Sequence, residues 1–269
     1  MNKHTLRVAV TMMVFSGVLS GCISDRALEK TVTGGVSGAS SAGQVAESRR
    51  IDIRMQLAIG YYEQRQFDVA LEEVSQVVRL APNYADAYSV RALIFMAQGE
   101  YQLAENNFLR AMKLSPDNPD YANNYGLLLC GNGREKQGIA YFDVALESRA
   151  YRTPSVAATN AGVCSLKLNN VDAAKAYFLR SLQFDPAGPL ANVHMAKWYL
   201  DSRDVERARF HIGFVENNNA LSAEVLWLAI KLERQLGNTA AEKSLVTQLR
   251  LRYPASSEYA AYQRGAFDE

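Results

Sequence analysis

Nucleophiles and metal ligands are few in this chain of 269 residues, so their spacings are soon exhausted. The histidines are His4, His194 and His211, and the cysteines are Cys22, Cys130 and Cys164. A metal site built on one element needs ligands such as His-x-x-x-His or Cys-x-x-Cys, and neither pattern occurs. A Gly-x-Ser-x-Gly nucleophile elbow is also missing. Cys130-Gly-Asn-Gly has the composition of a phosphate loop, but such a loop follows a strand and opens a helix. Gly131 and Gly133 fall instead at the turn between two helices. The combination left for covalent catalysis is Cys130 with His194 as its base, and nothing local brings the two together. The residues therefore predict no catalytic site, no metal site and no enzyme. A formal net charge of +1 argues against a dedicated nucleic-acid binder, and 48% hydrophobic residues exclude a wholly disordered chain.

Cys22 has a different setting. Lys3 and Arg7 precede a mostly apolar run, Val8 to Leu19, which is too short to span a bilayer. Leu19-Ser20-Gly21-Cys22 follows, and it resembles the lipobox of bacterial lipoproteins. The resemblance implies that residues 1–21 are a signal peptide removed after Gly21. It also implies that the Cys22 thiol receives a diacylglycerol and that the new N-terminus is acylated. No other cofactor is expected. Ile23 rather than Asp after the lipidated residue points, by analogy with enteric lipoproteins, to the outer membrane. Residues 22–48 then read as the lipidated Cys and a flexible tether, because 31–48 is rich in Gly, Ser, Ala and Thr and lacks an apolar period.

The elements that must carry Cys130 and Cys164 are set by a period. All seven prolines lie beyond residue 80. Pro82 and Pro116 are 34 residues apart, Pro186 and Pro254 are 68 apart, and Pro116 and Pro186 are 70 apart, two more than a double period. A 34-residue period is that of the tetratricopeptide repeat, a helix–turn–helix unit. With the boundary Pro at position 32, small residues recur at position 8 (Ala58, Ala92, Gly126, Gly162) and at position 20 (Ala70, Ala104, Ala174), where two helices approach. Large ones at position 24, such as Phe108, Phe142 and Phe178, fill the space beside them. The expectation is an all-α, right-handed solenoid of about six repeats over 51–254, within a domain of 49–269 that ends in a cap over 255–269. The two extra residues form a longer loop at Arg149–Pro154. In repeat six, Leu228, Ala229, Leu232 and Ala241 fit best one position earlier than Pro254 implies.

Cys130 and Cys164 thus lie on first helices of adjacent repeats, at positions 12 and 10. An exported chain permits a disulfide that staples repeat three to repeat four. Two buried thiols filling small packing positions are the alternative. First helices also line the concave face of such solenoids. Position 9 reads Ile59, Leu93, Leu127, Val163 and Lys197, with Ile230 in the shifted register, and position 12 begins Tyr62, Met96, Cys130. An apolar partner-binding groove of Met55, Ile59, Tyr62, Leu93, Met96 and Leu127 follows. The Lys/Asn clamp by which chaperone-type repeat domains grip a C-terminal carboxylate is missing, since Met55, Ile59, Ser89 and Leu93 occupy its positions. The preferred ligand is an apolar or amphipathic segment.

Three segments are more specific than the repeat positions: YANNYGLLLCGNG at Tyr121–Gly133, TNAGVCS at Thr159–Ser165, and DPAGPLANVHMAKWYL at Asp185–Leu200. With the lipobox and six repeats, they make the chain similar to the pilotins, the outer-membrane lipoproteins of type IV pilus biogenesis. The resemblance implies a carrier that binds the pilus secretin subunit, takes it to the outer membrane and promotes its assembly into the ring through which the pilus exits. It implies a site at the periplasmic face of that membrane, held by acyl chains, with neither nucleic acid nor a small molecule as ligand. A repeat lipoprotein of outer-membrane β-barrel assembly, or an adaptor for a periplasmic protease, is the rival reading.

Overall fold

The computed structural model describes the backbone over 37–217 and 221–267, and side chains over 43–215 and 221–267. The expected signal peptide and lipidation site, residues 1–22, lie outside these residues. Among the described residues there are thirteen α-helices. Twelve form six pairs: α1 (Ser37–Glu63) with α2 (Phe67–Leu80), α3 (Ala85–Gln98) with α4 (Tyr101–Leu114), and α5 (Pro119–Gly131) with α6 (Glu135–Glu147). Next come α7 (Pro154–Lys167) with α8 (Val171–Phe184), α9 (Pro189–Asp201) with α10 (Val205–Asn217), and α11 (Ala223–Gln235) with α12 (Thr239–Arg252). Helix α13 (Ser257–Arg264) follows. Each helix packs on the next in the chain. First helices of neighbouring pairs also meet, α3 on α5, α5 on α7 and α9 on α11. The arrangement is the tetratricopeptide solenoid that the 34-residue period predicts.

Local chemistry sets the boundaries. Pro119, Pro154 and Pro189 open α5, α7 and α9, where a missing N–H costs nothing and φ is already helical. Asn118, Asn170, Ser222, Asn238 and Ser256 cap the helices that follow them by accepting a backbone N–H. The turn inside every pair passes through one left-handed residue, at position 15. Gly99, Gly133 and Gly237 hold it at φ 82°, 74° and 72°, and Arg65, Asn169 and Arg203 hold it at 61°, 56° and 58°. Glycine meets that demand without a Cβ clash, and elsewhere the packing of the two helices imposes it on an ordinary side chain.

There is no single central core. Buried residues form layers between successive helices, among them Ala58, Val74, Val77 and Ile94 near the start and Leu226, Ile230 and Leu249 near the end. In the third pair the two backbones come close, so that a Cβ on Gly138 would stand 2.8 Å from the Gly126 carbonyl oxygen. The extra residues lie where the period breaks: Ser148–Thr153 joins α6 to α7 in six residues, and Tyr151 turns inward to 7% exposure.

Two expectations need correction. The tether gives no element to 37–48, yet α1 already begins at Ser37. Nucleation is the costly step of helix formation. Once the packed residues near Met55 and Ala58 hold a helix, Ala, Gln and Glu upstream extend it, and residues 46–50 do so exposed. The one-residue shift in repeat six is not present at its turn. Gly237 takes the same left-handed position as Gly99 and Gly133, and Leu249, wholly buried, sits where Ala111 and Ala145 do. Ile230 is therefore core, at 0% exposure, and Lys231 takes position 9, where it lines a separate pocket with Lys197 and Glu224.

Candidate functional site: a groove along the first helices

The first helices α1, α3 and α5 enclose a groove of about 500 Å³. Its floor is apolar, formed by Met55, Ile59, Val90 and Leu93, and Tyr84 and Tyr121 form its walls. Of the expected contact residues, Ile59 is the most open at 40% exposure, and Leu93 is half-buried. Met55 lines the floor at only 5% exposure, because it also packs with Ala58, Ala70 and Val74. Tyr62, Met96 and Leu127 are half-buried and face other neighbours. Tyr62 lies against Phe67, Met96 against the Ala92–Phe108 layer, and Leu127 against Cys130 and Phe142. A position number cannot tell these cases apart, because adjacent first helices bury part of every groove-facing side chain.

Three carboxylates also line the groove, Asp52, Asp86 and Asp120, and all are exposed. They stand 34 residues apart, at position 2 of repeats one to three, so the same period that located Ile59 and Leu93 also contained them. Tyr121 Oη donates to Asp86 Oδ1 at 2.5 Å, which orients that carboxylate. The Tyr121 hydroxyl is pushed well above its ordinary pKa, first by burial and then by Asp86. Burial raises Tyr84 likewise, with smaller contributions from Asp86 and Asp52.

Cys130 and Cys164 face each other between α5 and α7, both buried, with Cα atoms 5.9 Å apart. That is within the span a disulfide requires. Lys167 Nζ donates to the Cys130 carbonyl at 3.1 Å, Asn160 Nδ2 donates to Asn123 Oδ1 at 3.0 Å, and Tyr177 Oη donates to Asp143 Oδ1 at 2.9 Å, so polar contacts also tie repeat four to repeat three. His194 stacks on Phe178, ring centroids 4.5 Å apart, while Cys130 faces Cys164. Among the described residues, no group of three His, Cys, Asp or Glu side chains is placed to hold a metal ion.

Both described histidines belong to packing. His211 is 7% exposed and stacks on Tyr199. Its Nδ1 lies 2.7 Å from Asn192 Oδ1. Asn192 Nδ2 donates to the carbonyls of Pro186 and Gly188, which fixes Oδ1 as acceptor and places the imidazole proton on Nδ1. Burial holds both His194 and His211 below the ordinary value of 6.5. As pH falls through 6.5 the unfolded chain takes up these protons before the folded one does, so stability is full above that value and lost on the way down to the folded values. The melting temperature should therefore fall between about pH 7.5 and 5.5, and His194→Phe should flatten the slope. A flat profile in the unsubstituted protein would show that neither ring is held neutral by the fold.

Comparison with known proteins agrees with this architecture. Tetratricopeptide repeat models match residues 55–113, 90–153 and 157–187. The type IV pilus assembly protein PilF of Pseudomonas aeruginosa is 26% identical over 259 residues, covering 96% of this chain and 98% of PilF. The solved structure of P. aeruginosa PilF superposes with a TM-score of 0.75 at 25% identity, over 82% of this chain and 99% of that one. The crystal structure of PilW, described as a widely conserved type IV pilus biogenesis factor, superposes with a TM-score of 0.68 at 30% identity, over 79% of this chain and 98% of that one. At that identity, across nearly all of the PilW chain, the protein belongs to the tetratricopeptide-repeat family of PilW.

Proposed function

We propose that this protein is a non-enzymatic, lipid-anchored carrier in type IV pilus biogenesis. It binds the pilus secretin subunit, delivers it to the outer membrane and promotes its assembly into the exit ring. The observation that carries this reading is the end-to-end match to a type IV pilus assembly protein, which covers 96% of this chain and so extends beyond the repeats at 51–254. The groove supplies a surface on which an apolar stretch of a partner can be covered before it assembles. Acylation at Cys22 supplies the address: each buried CH₂ contributes about 0.8 kcal/mol, one chain holds marginally, and three hold firmly. Oxidation of Cys130 and Cys164 to a disulfide belongs to the same reading, since an exported chain folds in an oxidising compartment.

Cys22→Ala should leave a folded protein but misplace the secretin rings, measured by fractionation of the two membranes. Normal outer-membrane rings in that variant would refute the anchoring step. Secretin subunits should co-purify with the lipidated protein from solubilised envelopes. Barrel-assembly proteins in their place would favour the rival reading.

A further inference from the structure

We infer that the groove between α1, α3 and α5 receives an apolar segment bearing lysine or arginine side chains next to its apolar ones. This rests on the carrier reading above and specifies the chemistry of what is carried. The floor of Ile59, Val90 and Leu93 asks for apolar side chains, and the edge formed by Asp52, Asp86 and Asp120 asks for cations. Two of these acids have a local explanation as well: Asp86 and Asp120 lie in the first turns of α3 and α5, where the helix dipole favours a negative charge. Asp52 has none. It lies well inside α1, which starts at Ser37, yet it repeats the same groove position.

Among the described residues none of the three is in an ion pair, and no lysine or arginine lines this groove. Tyr121 satisfies one oxygen of Asp86 with a neutral hydroxyl, which orients the charge without cancelling it. An uncompensated row of carboxylates over an apolar floor discriminates among ligands. An acidic segment is repelled. A purely apolar one covers the carboxylates without pairing them, which costs free energy. A segment with cationic side chains beside apolar ones satisfies both surfaces.

Peptides of about fifteen residues, tiling the secretin encoded by the same organism, should be presented to the full-length protein in detergent micelles. The retained peptides should combine apolar residues with a net positive charge and bind more weakly as salt rises. The triple variant Asp52→Asn, Asp86→Asn, Asp120→Asn should bind them about tenfold more weakly. Asp52→Asn alone, an exposed mid-helix change that spares the core, should weaken them about two- to threefold, so the test survives if the triple variant does not fold. Asp172→Asn, an exposed acid of α8 outside the groove, should change nothing. Retained peptides that are neutral or acidic, unaltered affinity in the groove variants, or an equal loss in Asp172→Asn would each overturn the acidic-groove inference and leave the carrier reading standing. Retention of no peptide at all would overturn both.

Discussion

Phe178→Ala should destabilise the protein by about 3–5 kcal/mol, the usual cost of emptying an aromatic site in a core. The ring is 3% exposed on α8, lies against Gly162 of α7, and stacks with His194 of α9. It therefore joins repeat four to repeat five as well as the two helices of its own repeat. Gly162 supplies a sharper version of the test. A Cβ there would meet Phe178 ring carbons at 2.6, 2.8 and 2.9 Å, so Gly162→Ala overpacks the site at a cost of about 1–3 kcal/mol. In a helix without that ring the same change is favourable by about 1 kcal/mol, because Gly is the poorer helix former. Gly162→Ala should accordingly destabilise the unsubstituted protein and stabilise Phe178→Ala. Urea unfolding of the four proteins of this cycle measures the coupling. Equal effects in both backgrounds would show that the ring does not impose the glycine.

Breaking the Cys130–Cys164 pair should be the other large loss. A bridge closing a loop of 34 residues removes unfolded-chain entropy equivalent to about 3–4 kcal/mol. The double variant Cys130→Ala, Cys164→Ala and the dithiothreitol-reduced protein should lose similar amounts of stability. Their agreement would assign the loss to the cross-link and not to the altered packing. Thiol titration of the unfolded, lipidated protein decides whether the bridge forms at all: no reactive thiol is expected, and two would refute it. The pair joins the C-terminal ends of α5 and α7, next to Glu135 at the start of α6, so reduction should loosen repeats three and four first. Hydrogen exchange in α5–α8 would locate it.

The period of prolines contained most of the architecture, because a repeat protein places each residue by its position within 34. Ala104, Phe108 and Ala111 could be assigned to the core from their positions alone, and all three are fully buried. The misreadings have physical sources. Residues 37–48 look like linker by composition, but a helix already nucleated downstream needs little to grow through them. Repeat six looked shifted because eight consecutive residues of α11, Val225 to Lys231 and on to Leu232, are all buried, so an apolar pattern fits more than one register. The groove was legible in part. Positions 9 and 12 stand out by their apolar character, whereas an Asp at position 2, as at Asp86 and Asp120, looks like any acid in the first turn of a helix. Whether a half-buried Met96 faces a neighbour or a ligand depends on helix crossing geometry, which the period does not encode.

The links that tie one repeat to the next also bear on how quickly the chain can reach its fold. Tyr121 to Asp86, Tyr177 to Asp143, Asn160 to Asn123 and Lys167 to Cys130 each join residues 34 to 37 apart. Loop closures of that size are inexpensive, and folding rates rise as contacting residues draw closer in sequence. A chain delivered N-terminus first can settle α1 to α4 before α9 exists, and each later pair finds its docking face already formed. Folding then proceeds at the pace of delivery, with only the newest pair waiting for a partner and little apolar surface open to aggregation at any moment.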